Sequence, residues 1–398
     1  MQKKQEQLTM ASYDKNHYIQ KALLNRFAIQ TSKNHYKICV LDLINFNAAY
    51  LDTSSAFQEN KLYDVPSSED IKELEHKFSI KIEQPMSKIV AKCVSENNYA
   101  FKRYELETIK KYILLQLYRT PNNRRSYVNV PQNAFELSQF NINEGESRED
   151  FWKREMLCIL DNSFDSLLTS DMVGIKKHAM EINTSFLMFL HTDNELCIND
   201  LGYATERIPV KIPKSEQDSY IRQAKEIGKI LFGKDNFDEI AKREIANHKS
   251  YFDNYILFPI SSNIAILSVS PVWKYYYVDK RIRDYYRNTL FSPLLMKHFS
   301  LPKNTYVNKD KIKTDTDIPL YKDENDLFEY EIQQISSEET IYLNHLLMNE
   351  ALRYIGIKTP SALIPSIREY NRLESIGTTN LHHNYKGFVE LLTNLKLN

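Results

Sequence analysis

Two apolar runs that are rich in β-forming residues make up Asn254–Pro271, which reads NYILFPISSNIAILSVSP. Pro-Ile-Ser-Ser at positions 259–262 interrupts them, so the pattern predicts two strands joined as a hairpin. Upstream, Thr184–Asp200 (TSFLMFLHTDNELCIND) predicts a buried strand followed by a turn. A short run at positions 208–213, IPVKIP, also predicts a strand. Together these segments predict a central antiparallel sheet.

Helical patterns surround this predicted sheet. On its N-terminal side, serines and acids at positions 67–70 begin a helical pattern that Pro85 interrupts, and a second pattern is stopped by Pro121. On its C-terminal side, Ser336 and Glu339 form a capping box, and Gly356 is expected to close that helix. We therefore expect an α+β protein with a largely helical N-terminal half, a small, mainly antiparallel central sheet and C-terminal helices.

The predicted domain organisation has three parts. Residues 1–14 are polar and are expected to form a flexible leader, residues 15–357 a single α+β domain, and residues 358–398 a C-terminal extension. Inside the domain, the polar stretch 128–150 is a candidate sub-boundary, and the charged segment 302–326 is expected to be a linker.

Composition excludes several classes of protein. Lysine plus arginine equals aspartate plus glutamate at 52 each, so any basic site must be a local patch. Only 8 glycines occur and no GxGxxG, which disfavours a Rossmann nucleotide site. The 4 cysteines form no CxxC pair, which disfavours a zinc site made of thiolates. No apolar run approaches the roughly 20 residues that span a bilayer, and we expect a cytoplasmic protein without membrane contact.

Six stretches in order resemble an uncharacterised bacterial family that is catalogued as a domain of unknown function, DUF4238. They are HYIQKALLNRF (17–27), ELEHKFSIKIE (73–83), LLQLYRTP (114–121), LHTDNEL (190–196), FPISSNIAIL (258–267) and LNHLLMNEALRYI (343–355). Two residues depart from the family pattern. Gln20 stands where the family usually has proline, and Glu195 stands where the family has proline after Asp-Asn. The resemblance groups these stretches into one set of site candidates but implies no established chemistry.

The family-like stretches supply a polar set that is a candidate catalytic site. Its members are His17, Glu75, Glu83, Gln116, Arg119 and Asp193. On one α-helix, Glu75 and Glu83 would lie about 80° apart, because each residue turns the helix by roughly 100°. Glu83 and Asp193, with the other polar groups, are candidate ligands of a divalent cation such as Mg²⁺ or Mn²⁺, which would activate water for phosphodiester cleavage. Arg119 would then bind a phosphate.

The same residues have a structural interpretation that competes with this one. Arg119 precedes Pro121 at a predicted helix end, where it would cap carbonyl groups or pair with Glu75 or Glu83. His17 would bond to the backbone, and Asp193 would close a turn.

Two basic clusters are candidate contacts for nucleic acid. The first stretch, WKYYYVDKRIRDYYRN (273–288), interleaves aromatic and basic residues, and the second, RTPNNRR, covers 119–125. Aromatic rings stack on unpaired bases while arginine and lysine bind phosphates. The predicted nucleic-acid-binding residues are Arg124, Arg125, Lys274, Tyr276, Lys280, Arg281, Arg283 and Arg287. The competing interpretation is an amphipathic helix with buried tyrosines.

These observations lead to two functional hypotheses. The first is a bacterial effector of anti-phage defence or toxin type that acts on nucleic acid, with metal-assisted phosphodiester hydrolysis as its candidate chemistry. The second is a non-catalytic recognition or regulatory protein that binds nucleic acid, a phage protein or a partner protein of a defence operon. No HExxH, GxSxG or kinase motif set is present, which disfavours a zinc protease, an α/β-hydrolase and a protein kinase. The sequence leaves open whether the protein is an enzyme of another class.

Overall fold

The computed structural model describes residues 15–64, 72–129, 142–210, 250–273, 295–375 and 383–397. Within these ranges the chain is an α+β protein, as the sequence predicts. The prediction of one small central sheet is wrong, because the described strands form two five-stranded sheets, one three-stranded sheet and one two-stranded sheet.

The strands of the described ranges are numbered in chain order. They are β1 (Lys15–His17), β2 (Ile29–Ser32), β3 (His35–Asp42), β4 (Asn47–Asp52), β5 (Gln58–Asn60), β6 (Ala100–Lys102), β7 (Phe186–Thr192), β8 (Ile198–Asn199), β9 (Ala204–Val210), β10 (Ser250–Ser261), β11 (Ile264–Val269), β12 (Lys303–Thr305), β13 (Leu327–Glu329), β14 (Ile332–Ile335) and β15 (Tyr354–Ile357).

The α-helices of the same ranges are numbered in the same way, and a π-helix, Phe78–Glu83, connects α2 to α3. They are α1 (Lys21–Leu24), α2 (Glu73–Lys77), α3 (Gln84–Glu96), α4 (Arg103–Tyr118), α5 (Pro121–Val128), α6 (Arg148–Asp161), α7 (Phe164–Leu168), α8 (Val173–Thr184), α9 (Ser337–Glu350), α10 (Pro360–Ser375) and α11 (Phe388–Asn394).

The predicted hairpin is confirmed and forms the centre of the first five-stranded sheet. Strands β10 and β11 pair antiparallel, with Leu257 opposite Leu267. In the turn, the Ser261 hydroxyl accepts hydrogen bonds from the N–H groups of Asn263 (3.3 Å) and Ile264 (3.0 Å). The sheet order is β14-β7-β11-β10-β9. The pairs β7–β11, β11–β10 and β10–β9 are antiparallel, whereas β14 runs parallel to β7.

This sheet separates two apolar cores, which explains why β11 is buried along its whole length. In β11, Ile264 and Ile266 belong to one core, whereas Ala265, Leu267 and Val269 belong to the other. Successive side chains of a strand point to opposite faces, so a strand covered on both faces reads as a continuous apolar run. Helices α3, α4, α6 and α8 contribute to the first core and helices α9, α10 and α11 to the second.

The second five-stranded sheet has the order β2-β3-β15-β8, and β4 pairs with the other edge of β3. Gly356 lies in β15 opposite Val40, so the prediction that it closes the preceding helix is wrong. That helix, α9, has the predicted capping box at Ser336 and Glu339 but ends at Glu350. The chain leaves it because the Asp200 carboxylate accepts hydrogen bonds from the backbone N–H groups of residues 352, 353 and 354.

The prediction of a largely helical N-terminal half is also wrong for residues 15–60. This segment contains β1 to β5, of which β1 and β5 form the two-stranded sheet. The sequences of these two strands, KNH and QEN, are short and polar. They lack the alternation of apolar residues that marks a strand, and therefore only the pairing of Lys15 with Asn60 and of His17 with Gln58 reveals them.

The remaining segments attach to this framework. The predicted linker 302–326 contains β12, which pairs with β13. At its end, buried Asp326 accepts hydrogen bonds from the Val307 N–H (2.9 Å) and from Arg103 Nη2 (2.8 Å). After residue 357, α10 and α11 pack Leu363, Tyr370 and other residues into the second core. The proposed division into domains stays a prediction, and residues 1–14 lie outside the described ranges.

Among the described residues, no helix has both the length and the apolar character that a membrane crossing requires.

Gly356 offers a test of the packing around β15 in the second five-stranded sheet. A Cβ atom there would lie 2.7 Å from Ile38 Cδ1 and 3.1 Å from Ile198 Cγ2, and both side chains are fully buried. We expect Gly356→Ala to lower the free energy of unfolding by about 1–3 kcal/mol, which is typical of overpacking. Urea denaturation followed by circular dichroism would measure the change.

Gly174 in α8 is the matched control. A Cβ atom there has ordinary contacts, the nearest at 3.7 Å, and alanine favours a helix. Gly174→Ala should therefore not destabilise the protein. Equal effects of the two substitutions would contradict the proposed packing at Gly356.

Candidate functional site

Arg119 is the centre of the predicted polar set, and it is only 1% exposed. Its Nη2 donates hydrogen bonds to the Glu83 carboxylate (2.9 Å) and to the backbone carbonyl of His17 (2.8 Å). The Tyr63 hydroxyl donates to the Arg119 carbonyl at 2.6 Å. The guanidinium carbon lies 4.7 Å from the centre of the Phe78 ring. One side chain therefore ties together β1, the π-helix and the end of α4.

Local sequence explains why Arg119 occupies a helix end. Pro121 begins α5, and the residue before a proline disfavours helical backbone, so Thr120 is extended. The Thr120 hydroxyl caps α5 by accepting a hydrogen bond from the Asn123 N–H (3.3 Å). Arg119 is thereby turned into the core instead of continuing along the surface of α4.

The π-helix sets the position of Glu83. Proline lacks a backbone N–H, and its ring clashes with the carbonyl four residues earlier in an α-helix. The wider π-turn directly precedes α3, which carries Pro85 in its first turn, so the chain stays helical across the expected break. The sequence-based angle between Glu75 and Glu83 assumed one regular α-helix and does not apply to this geometry.

His17 and Glu75 complete the cluster around Arg119. Nε2 of His17 lies 3.1 Å from the carbonyl oxygen of Thr53, and burial lowers the pKa of His17. Asn16 Nδ2 donates to the Glu75 carboxylate at 3.2 Å. Burial raises the pKa of Glu75, although the neighbouring Arg119 opposes this. The His17 ring therefore bonds to the backbone, as the structural interpretation of the sequence expects.

Two glutamine side chains link the cluster to the rest of the fold. Gln116, a predicted site residue, is buried and donates to the carbonyls of Tyr18 (3.2 Å) and Leu201 (2.8 Å). Gln20, where the family usually has proline, donates to the Glu83 carbonyl (3.0 Å) and to the Ser87 hydroxyl (2.9 Å). Both amides hold neighbouring backbone in place.

Asp193 is not part of this cluster. It is exposed at the end of β7, and its neighbour Asn194 donates to the Ser337 hydroxyl at the start of α9. None of the hydrogen bonds and ion pairs of His17, Glu75 and Arg119 described above includes it. In the part of the chain that the structure describes, no three histidine, cysteine, aspartate or glutamate side chains form a group that could hold a metal ion. The predicted role of Glu83 and Asp193 as metal ligands gains no support from this geometry.

The two predicted basic clusters differ in what the structure describes. Arg124 is paired with Glu59 (3.4 Å) and Glu149 (2.9 Å), whereas Arg125 is exposed and has no ion pair with any described residue. Trp273 is buried, and its indole N–H donates to Asn254. The other predicted binding residues, Lys274, Tyr276, Lys280, Arg281, Arg283 and Arg287, lie outside the described ranges.

A groove of about 290 Å³ lies next to the polar set, and Arg125 lines it. The groove is also lined by Tyr18, which directly follows β1, by Pro121 and Asn122 at the start of α5, and by the segment 352–354. Arg353 is held there by the Asp42 carboxylate, which it contacts at 2.9 Å and 3.1 Å. Its guanidinium carbon lies 4.7 Å from the centre of the Tyr354 ring.

The sequence did not single out Arg353, Tyr354, Tyr63 or Asp200. Arg353 and Arg125 are far apart along the chain, so no local spacing could have connected them. Asp200 ended the predicted turn segment, but its role as the acceptor of three backbone N–H groups depends on the position of β15. The family-like stretches ending at Pro121 and at Ile355 are the only sequence signal that relates these parts.

Glu155 is a further buried carboxyl group, and its sequence pattern, that of an amphipathic helix, did not single it out. It is 1% exposed on α6. Burial raises its pKa to about 7, an effect that the Tyr127 hydroxyl and Arg154 partly offset. At neutral pH this group is therefore close to the midpoint of its titration.

The chain belongs to the family described as protein of unknown function (DUF4238), whose model matches residues 15–361. This confirms the resemblance, and all six family-like stretches fall inside the match. No curated protein and no solved structure matches the chain.

Arg119 provides a test between the structural and the catalytic interpretation. Removing one partner of a buried ion pair leaves the other charge poorly solvated, so Arg119→Met should lower the free energy of unfolding by about 3–5 kcal/mol. A double-mutant cycle with Glu83→Gln should give a coupling energy of about 0.5–3 kcal/mol. Denaturant unfolding measures both quantities.

Arg372 on α10 is the matched control for this test. It forms an exposed ion pair with Glu369 at 2.6 Å. Arg372→Met should leave stability nearly unchanged, because solvent screens exposed pairs. If Arg119→Met were equally harmless, the buried network would not be structural and the catalytic interpretation would gain support.

Glu155 predicts a specific pH dependence of stability. The ordinary pKa of its carboxyl is 4.5, and in the fold it is raised to about 7. The unfolded chain thus releases this proton at lower pH than the folded chain. Wild-type stability therefore falls as the pH rises through the window from 4.5 to about 7. Glu155→Gln should remove this loss, and its stability relative to wild type should increase by on the order of 3 kcal/mol across the window.

Glu149→Gln on the same helix is the control, measured by unfolding at about pH 5 and about pH 8. Burial would raise the pKa of its carboxyl, but hydrogen bonds with Arg124 and Lys153 lower it below its ordinary value. It is therefore ionised in both states at both values, and its effect should not depend on pH in this range. A Glu155→Gln effect equally independent of pH would contradict the raised pKa.

Proposed function

We propose that the protein recognises single-stranded nucleic acid through the groove beside Arg119 and does not cut it. The observation that carries this proposal is that Arg125, Tyr18 and the cation–π pair of Arg353 and Tyr354 line one groove. Arginine binds phosphates, and guanidinium planes and aromatic rings stack on unpaired bases. This is the second of the two hypotheses that the sequence raised.

Recognition is favoured over hydrolysis because of how the polar set is used. The Arg119 guanidinium and the Gln116 amide hold backbone carbonyls, and the His17 ring faces the Thr53 carbonyl. A catalytic arginine or histidine would instead direct these groups toward a substrate. Metal-assisted hydrolysis remains the competing proposal, and a role in anti-phage defence or as a toxin stays a prediction of the sequence.

The acidic residues of the groove do not oppose an anionic ligand strongly. Asp200 accepts three backbone hydrogen bonds, and Glu59 is paired with Arg124 at 3.4 Å. Asp42 is paired with Arg353. Arg125 thus remains as the lining cation without a carboxylate partner among the described residues.

Binding of labelled single-stranded RNA and DNA at low salt tests the proposal. Arg125→Ala should weaken binding by about tenfold or more, the effect of losing a charge-assisted hydrogen bond to phosphate. Arg368 is the matched control, because it is exposed on α10 and does not line the groove. Arg368→Ala should leave the affinity unchanged.

The same assay separates the competing functions. Cleavage of the strand with Mg²⁺ or Mn²⁺, abolished by a chelator, would contradict recognition without cleavage and support metal-assisted hydrolysis. The absence of binding at low salt would contradict both and would favour a protein partner.

A further inference from the structure

We infer that the groove holds one terminal nucleotide of a strand, with its base on Arg353 and its single phosphate at Arg125. This inference rests on the proposed function and specifies the unit that is recognised. It follows from the fixed position of Arg353, from the pairing of the charges and from the size of the groove.

Arg353 is built as a flat platform. Its Nε and Nη2 both contact Asp42 Oδ2, at 3.1 Å and 2.9 Å, and its guanidinium carbon lies 4.7 Å from the centre of the Tyr354 ring. These contacts fix the guanidinium plane, and yet 42% of the side chain remains exposed. Because Asp42 neutralises its charge, Arg353 is better suited to stack on a base than to bind a phosphate.

Apolar residues continue this platform at the edge of the groove. Ile44 is 68% exposed and Leu352 is 40% exposed, and both line the groove. When exposed aliphatic side chains beside a stacking surface cover the apolar face of a base or sugar, apolar area is removed from water, which favours binding. The platform and its edge therefore form a base subsite.

The phosphate subsite is at the start of α5. Arg125 is one helical turn after Pro121, so these two residues share the face that lines the groove with Asn122. The start of a helix carries partial positive charge, which favours an anion there, although Pro121 has no N–H and the Asn123 N–H is bonded to Thr120. Arg125 adds a full charge without a carboxylate partner among the described residues.

Charge and size limit the ligand to one nucleotide. Of the lining cations, Arg353 is already paired with Asp42, which leaves Arg125 for one phosphate. A volume of about 290 Å³ lies just below the roughly 300–1,000 Å³ that small-molecule sites occupy. Proteins that bind the interior of a strand instead follow several nucleotides along an extended basic groove. An interior nucleotide would also bring a phosphate on each side.

A comparison of linear and circular oligonucleotides of one sequence tests the inference. The linear strand should bind and the circular strand should not, because a circle has no terminal nucleotide. Strands phosphorylated at the 5′ or at the 3′ end identify which terminus is bound. In competition experiments, nucleoside monophosphates should displace the linear strand, and the corresponding nucleosides should do so about tenfold less well or worse.

Two variants locate the subsites. Arg353→Lys keeps the charge but removes the plane, so it should weaken displacement by monophosphates and nucleosides alike. Arg125→Ala should remove the difference between monophosphate and nucleoside. Arg368→Lys on α10 is the control and should change neither.

The outcomes distinguish this inference from the proposed function. Equal binding of linear and circular strands, or linear binding that monophosphates do not displace, would overturn the terminal site while leaving nucleic-acid recognition intact. The absence of binding by either strand would overturn the proposed function itself.

Discussion

The burial of the Arg119 guanidinium is the constraint around which the N-terminal part of this fold is arranged. A charged group removed from water needs an opposite charge and hydrogen-bond acceptors. Glu83 and the His17 carbonyl supply these to Nη2 of Arg119, whereas Nη1 has no hydrogen-bond partner among the described residues. Burial alone would lower the pKa of Arg119, but Tyr63 and Glu83 raise it above its ordinary value. The π-helix that carries Glu83, the β1 carbonyl and the Tyr63 loop must all reach the same point, and this requirement fixes their relative positions.

The arrangement also positions the groove. Arg119 directly follows α4, Thr120 caps the next helix, and α5 presents Arg125 one turn after Pro121. The opposite wall depends on Asp200, which turns the chain after α9 by accepting three backbone N–H groups, and so brings Arg353 onto the same surface. Two networks of buried polar groups thus place the exposed residues to which we assign recognition.

The extent to which the fold was predictable differs between its parts. The hairpin at Ser261–Ile264 and the capping box at Ser336 could be predicted because short-range patterns specify them. Strands β1 and β5 could not, since short polar strands are stabilised by partners distant in sequence. Gly356 was misassigned for the same reason: a glycine after a helical pattern suggests a helix end, whereas here it permits close packing of β15 against Ile38.

The sequence by itself determined the α+β class, the central hairpin, the family and most of the polar residues that cluster around Arg119. It did so because periodicity, capping and motif order are local properties of the chain. Only the tertiary structure decided that Arg119, Gln116 and His17 contact backbone, that Asp193 lies elsewhere, and that Arg125 and Arg353 line one groove. The direction of a side chain depends on which segments pack against it, and those contacts join residues that are distant in the chain.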